Sequence, residues 1–177
     1  MDITIRKGET GDINAIASFY DSVNDALAKG YNYPGWQKGV YPTINEAEIG
    51  VKSGSIFLAL YNGEIAGTII LNHEAESDYN KIKWQISCDY SEILMMHTFA
   101  VSPLYRHCGI GKAIFDFAEG YAVENKLKAI RFDVNENNLP AIKLYEKCGY
   151  MHMGTMDLGY GGYGLNMFRL YEKLITP

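Results

Sequence analysis

The chain has 177 residues, 47% of them apolar and 21% charged, with a net charge of −5 at pH 7. That length supports one domain with a real core, taken as residues 1–177. The acidic balance, without a basic run, argues against a nucleic-acid binder, and no apolar stretch approaches transmembrane length.

In chain order, Ile3 and Ile5 alternate with polar residues and predict a short strand. Thr10 is the expected cap of a helix whose apolar face is Ile13, Ile16, Phe19, Tyr20 and Val23. An aromatic, glycine-bearing loop follows, with Tyr31, Tyr33, Pro34, Gly35, Trp36, Tyr41 and Pro42. Thr43 and Glu46 form a capping-box pattern for a second helix that ends near Gly54. Ile56 to Tyr61 and Glu64 to Leu71 flank Asn62-Gly63, the strongest short hairpin signal. Residues 73–92 are mixed in character and are expected to extend the strands. Ile93 to Val101 reads as a buried strand, Ile110 to Glu124 as a helix and Ala129 to Val134 as a further strand. Asn138 caps a short helix to Lys147, stopped by Gly149. Two final strands, about Tyr150 to Met156 and Met167 to Leu174, bracket a loop of alternating glycine and tyrosine. The strands around the third helix should be parallel and joined by a right-handed crossover.

Three cysteines occur, none in a Cys-x-x-Cys pair, and the four histidines lack close ligand spacing. This argues against a disulfide framework and a metal site, and fits a reducing, cytoplasmic setting. No signal-peptide stretch opens the sequence, and no membrane partner is expected.

The sharpest local feature is Arg106-His107-Cys108-Gly109-Ile110-Gly111, between a strand and a helix. A loop at a helix start offers unpaired N–H groups to a phosphate, glycine lets the ligand approach, and the helix dipole favours its charge. Alone the pattern is weak, arising by chance in roughly one chain in five of this length. Its surroundings carry more weight. A strand ends Phe99-Ala100-Val101, with Pro103 just after it. Further on stands Asn138-x-x-Ala141-x-x-x-Tyr145-x-x-x-Gly149-Tyr150.

These three elements, in this order, resemble the GNAT N-acetyltransferase superfamily. The resemblance implies a mixed α/β fold: a central mixed sheet of about six to seven strands with a splayed parallel pair, and helices on both faces. It also implies acetyl-CoA as cosubstrate. Arg106, His107, Cys108, Gly109, Ile110, Gly111 and Lys112 would wrap the pyrophosphate. Phe99, Ala100 and Val101 would run along the pantetheine arm, with a strand N–H polarising the thioester carbonyl. Asn138 would contact or position that arm, and Tyr145 would stand beside the thioester sulfur. Many relatives carry glycine and a basic residue where His107 and Cys108 stand here, so less positive charge reaches the phosphates.

The acceptor implied is a primary amine on a small molecule, attacking directly in a ternary complex. Its proton needs a base. His97, which shares a strand face with Phe99 and Val101 by period-two alternation, is one candidate, and Glu92 is the other. The acceptor pocket would be lined by Tyr33, Trp36 and Tyr41, and by the loop from Gly159 to Gly164. The same aromatics serve equally well as packing or as a homodimer surface. Cys108 reads as a small loop filler or a reactive thiol, not as a nucleophile.

A dinucleotide site competes, because Gly109-x-Gly111 precedes a helix and Asp133 ends the next strand. However, seven residues separate Val101 from Gly109, and Ile114 occupies the third glycine position. A phosphate P-loop fails because Ala113 follows Gly111-Lys112 and Arg106 stands at the first glycine position. A non-catalytic acyl-CoA-binding module of the same fold stays open.

Overall fold

The apolar periodicity is realised as seven strands and four α-helices in the computed structural model, which describes residues 3–176. In order these are β1 (Ile3–Lys7), α1 (Ile13–Ala28), α2 (Ile44–Ser53), β2 (Ile56–Tyr61), β3 (Glu64–Asn72), β4 (Ile93–Val101), α3 (Ile110–Glu124), β5 (Ala129–Asn135), α4 (Leu139–Lys147), β6 (Met151–Met156) and β7 (Phe168–Leu174). Hydrogen-bonded neighbours follow the order β1-β2-β3-β4-β5-β7-β6 in one mixed sheet. β4 and β5, on either side of α3, are parallel as expected, whereas β1–β2, β2–β3, β5–β7 and β6–β7 are antiparallel.

Two compact units make up these residues: 3–32, 36–71 and 97–117 in the first, and 33–35, 72–96 and 118–176 in the second. In the first, Ile16, Phe19, Tyr20 and Val23 of α1 and Ala47 of α2 pack against Ile56, Leu58, Ile70 and Ala100. Each fully buried large apolar side chain contributes about 1.5–3 kcal/mol. Phe57 alternates to the opposite face of β2 and meets Phe117 of α3 at 5.0 Å. Helices therefore cover both faces of this part of the sheet. The Asn62-Gly63 hairpin turns with both residues at positive φ, 52° and 84°. Thr43 and Glu46 close their capping box, and α2 stops at Gly54 with φ 66°.

In the second unit, the β4–β5 pairing covers Ile93–Met95 against Ala129–Arg131. Tyr79, Ile93, Met95, Ala129 and Leu170 form its core. Arg131 and Glu172 face each other across β5 and β7, and their side chains form an ion pair at 2.8 Å, 3% and 0% exposed. Arg131 Nη2 also donates to the Ile86 carbonyl, Gln85 N–H donates to Glu172, and the guanidinium lies 4.3 Å from the Trp84 ring.

Two expectations are corrected. Thr10 is not the cap. A 3₁₀ turn, Thr10–Asp12, precedes α1, and its capping box joins Glu9 to Asp12. An aspartate that also holds Arg6 at 2.6 Å is the better anchor, and Arg6 keeps the Asp12 carboxyl low, at about 2. Residues 73–92 do not extend the strands. They form 3₁₀ turns at Ser77–Lys81 and Tyr90–Glu92. Their backbone is secured by side chains from β5 and β7 rather than by a ladder. No helix among the described residues is long and apolar enough to cross a membrane.

Candidate functional site

In the first unit, β4 runs from His97 to Val101 into a 3₁₀ turn, Pro103–Tyr105, capped by Ser102. Ser102 N–H donates to the Ala66 carbonyl at 2.8 Å, tying the strand end to β3. Tyr105 lies 5.2 Å from the Tyr61 ring and donates its hydroxyl to Glu64 at 2.5 Å. The exposed loop Arg106–Gly109 springs from this anchored turn. His107 has φ 65° and Gly109 φ 81°, so the loop makes two left-handed steps before α3. His107 therefore occupies a conformation that favours glycine.

A methyl group on Gly109 would meet nothing within 4 Å, so the space beside it is open. Cys108 N–H is used in the turn, donating to the Tyr105 carbonyl at 3.3 Å. Ala113 N–H donates to the Gly109 carbonyl at 3.0 Å, and the amides ahead of it lie at the start of the helical ladder. The donor set suits an oxyanion: helix-start amides, an exposed arginine, and glycine where a close approach is needed. Lys112 is paired with Asp116 at 2.5 Å, which tempers its charge.

Gly67, unmarked in the sequence, is a point of close approach. A methyl group there would lie 2.8 Å from Ile114 Cδ1, 3.0 Å from the Ala100 carbonyl oxygen and 3.1 Å from Ile110 Cγ2. This bare backbone on β3 lets β4 and the first turn of α3 come close. Nothing in its local sequence distinguishes it.

Along β4, His97, Phe99 and Val101 are half-buried, while Thr98 and Ala100 are buried. Phe99 packs edge-on against Phe115 of α3 at 5.1 Å. The pleat is interrupted at Thr98, whose φ is 47°. Glu92 ends the 3₁₀ turn directly before β4, five residues before His97, in an ion pair with Lys128 at 2.6 Å. That hydrogen bond holds its carboxyl below the usual range, which makes Glu92 a weaker base than the sequence alone implies.

In the second unit, Asn138 caps α4, its Oδ1 accepting from Ala141 N–H at 3.4 Å. α4 closes with Tyr150 N–H donating to the Tyr145 carbonyl and Gly149 N–H to Glu146. With Gly149 at φ 81°, this is a Schellman cap. The Tyr145…Gly149-Tyr150 spacing thus has a structural cause as well as a functional implication. Tyr145 is 5% exposed and edge-on to Phe132 at 4.6 Å. Burial, then the nearby Asp133 and Tyr171, push its hydroxyl well above the ordinary tyrosine range. Asp133, considered in the sequence only as a ribose-binding acid, accepts a hydrogen bond from buried Tyr79 at 2.5 Å. It is a further carboxylate within electrostatic reach of Tyr145.

The aromatic loop divides between the units. Tyr33 belongs to the second, where Gly35 packs so closely on Leu165 that a methyl group would lie 2.2 Å from its Cδ2. Trp36 and Tyr41 belong to the first and meet edge-on at 5.7 Å. In the second aromatic loop, Tyr160 donates to Glu76 at 2.9 Å.

Residues 20–150 match the family model described as the acetyltransferase (GNAT) family, and the chain belongs to that family. Over 76 residues it is 30% identical to a streptothricin acetyltransferase of Escherichia coli, a stretch covering 43% of each chain. The match thus spans under half of that relative's length. A GNAT-family acetyltransferase from Streptococcus agalactiae 2603 shares the fold with a TM-score of 0.81 at 20% identity, over 99% of this chain and 96% of that one. An N-acetyltransferase from Staphylococcus aureus Mu50 does so with a TM-score of 0.74 at 20% identity, over 99% and 100%.

Proposed function

We propose that the chain transfers an acetyl group from acetyl-CoA to a primary amine of a small molecule, by direct attack in a ternary complex. The observation that carries this reading is the loop Arg106–Gly109, with left-handed turns at His107 and Gly109 directly ahead of α3. Arg106, the backbone of residues 107–111 and Lys112 would hold the pyrophosphate. Backbone of Phe99, Ala100 and Val101 would pair with the pantetheine arm, and Asn138 would help to position it. A β4 N–H would stabilise the oxyanion.

The amine nitrogen forms a bond to the carbonyl carbon, the carbon–sulfur bond breaks, and the thiolate leaves. Tyr145 donates a hydrogen bond to the departing sulfur. The ammonium proton passes to a base, for which His97 is the first candidate, followed by Asp133 and Glu92. Trp36 and Tyr33 line the acceptor side. The low-identity likeness to a streptothricin acetyltransferase makes streptothricin the first acceptor to try.

Release of free CoA thiol from acetyl-CoA is the test, with streptothricin and a panel of primary amines. Acetylated amine identified by mass supports the reading. Acetyl-CoA binding without turnover on the whole panel would favour a non-catalytic acyl-CoA module. In Trp36→Ala, acceptor KM should rise with acetyl-CoA affinity unchanged. A joint change would assign Trp36 to packing.

A further inference from the structure

Thr98 is a β-branched residue held at φ 47° in the middle of β4. That left-handed conformation is a genuine outlier for a side chain branched at Cβ. Such residues persist only where their surroundings over-determine them, and they gather at functional sites. Here the surroundings include a tyrosine hydroxyl: Tyr41 and Thr98 Oγ1 share a hydrogen bond at 2.7 Å, across 57 positions of sequence.

Tyr41 is itself braced. Its N–H and that of Val40 both donate to the Gln37 carbonyl at 3.0 Å. Asn24, 2% exposed, directs its Nδ2 at the Tyr41 and Pro42 carbonyls, 3.4 Å from each. The Trp36 ring meets the Tyr41 ring edge-on.

We infer that Tyr41 is a positioning residue, a strut that fixes the turn of β4 at Thr98, and not a wall of the acceptor pocket. The sequence alone groups Tyr33, Trp36 and Tyr41 of this loop against the acceptor. For Tyr41, the hydrogen bond points to the strand instead. Phe99 follows at once and packs on α3, while Ala100 enters the core beneath α1 and α2. Relaxing Thr98 toward extended backbone would rotate the peptide that leads into Phe99. The N–H and C=O groups from Phe99 to Val101 would then leave the direction in which a pantetheine arm pairs with them. The functional half of this inference rests on the acetyl-CoA reading above.

Four variants test it: Tyr41→Phe, Thr98→Val, their double variant and Thr98→Gly. Acetyl-CoA Kd is measured by calorimetry, and acceptor KM and melting temperature are followed in parallel. Tyr41→Phe and Thr98→Val should each weaken acetyl-CoA about three- to tenfold, the effect of one lost hydrogen bond. The double variant should be no worse than either single one, because one bond is removed once. Thr98→Gly also loses the bond, yet should keep wild-type affinity, since glycine adopts the left-handed turn unaided. A raised acceptor KM with unchanged acetyl-CoA Kd in Tyr41→Phe would make Tyr41 a pocket wall and overturn the inference. So would multiplied losses in the double variant, or a Thr98→Gly loss as large as that of Thr98→Val. If the wild-type chain binds no acetyl-CoA, the proposed function fails first, and the melting temperatures still decide the strut. It stands if each single variant melts lower and the double no lower, and falls if the losses add.

Discussion

Tyr145→Phe separates a hydrogen-bond donor from a true acid. The departing thiolate has a pKa near that of cysteine, about 8.5, whereas an ordinary tyrosine lies near 10. Full proton transfer from such a tyrosine is already uphill by about 2 kcal/mol, at 1.36 kcal/mol per unit. Burial raises the Tyr145 hydroxyl further, so complete transfer becomes harder still. Under the proposed function, the role left to Tyr145 is donation to the developing negative charge. A hydrogen bond to a charged group is worth about 1.5–3 kcal/mol, or roughly ten- to 150-fold in rate. The phenylalanine ring retains the edge-on contacts with Phe132 and Tyr171, so folding and acetyl-CoA affinity should change little. The assay is single-turnover thiol release with saturating acceptor, paired with acetyl-CoA Kd. Because the hydroxyl stays protonated beyond the normal tyrosine range, wild type and variant should show parallel pH profiles up to about pH 10. A wild-type rate in the Phe variant, with chemistry rate-limiting, would remove Tyr145 from the mechanism.

Gly67→Ala should cost about 1–3 kcal/mol in urea unfolding and weaken acetyl-CoA, because the methyl group presses on the Ala100 carbonyl and on Ile110 and Ile114. Unchanged stability and affinity would show that the close approach is dispensable. Glu172→Gln leaves the buried Arg131 charge uncompensated and should cost about 3–5 kcal/mol in the same assay. A loss below about 1 kcal/mol would mean that water reaches the pair. If His97 is the base, His97→Ala should lower the rate about a hundred- to ten-thousandfold near neutral pH, with partial recovery at high pH as the amine deprotonates itself. A loss independent of pH would assign His97 to packing and turn attention to Asp133.

Local chemistry was readable from the sequence wherever neighbours along the chain decide the outcome. Asn62-Gly63 made its hairpin, Thr43 and Glu46 their box, and Asn138 and Gly149 the two ends of α4. The strand before the loop and the helix after it also follow their apolar patterns. What escaped depends on distant partners. Residues 73–92 are ordered by Arg131, Asp133 and Glu172, which look like ordinary surface charges in a strand. Thr98 favours extended structure by its own chemistry, so nothing nearby foretells its left-handed turn. Burial nonetheless alternates through it, His97 and Phe99 being half-buried on either side of buried Thr98. In the sequence Tyr41 is one more loop aromatic, and only the fold brings its hydroxyl to Thr98.

The central claim is that the loop ahead of α3 binds the phosphates of acetyl-CoA. Its most direct test is the melting temperature of wild type and Gly109→Val, each with and without acetyl-CoA. Gly109 has φ 81° and open space around it, so valine should reshape the loop without pressing on the fold. The wild-type chain should gain about 2.7 kcal/mol of stability at a hundredfold excess over Kd, and NAD should add nothing. Gly109→Val should melt lower than wild type when alone, by the roughly 1–2 kcal/mol of strain that a β-branched residue meets at φ 81°, and gain nothing from acetyl-CoA. A wild-type melting curve indifferent to millimolar acetyl-CoA, or a variant stabilised as strongly as wild type, would contradict the account.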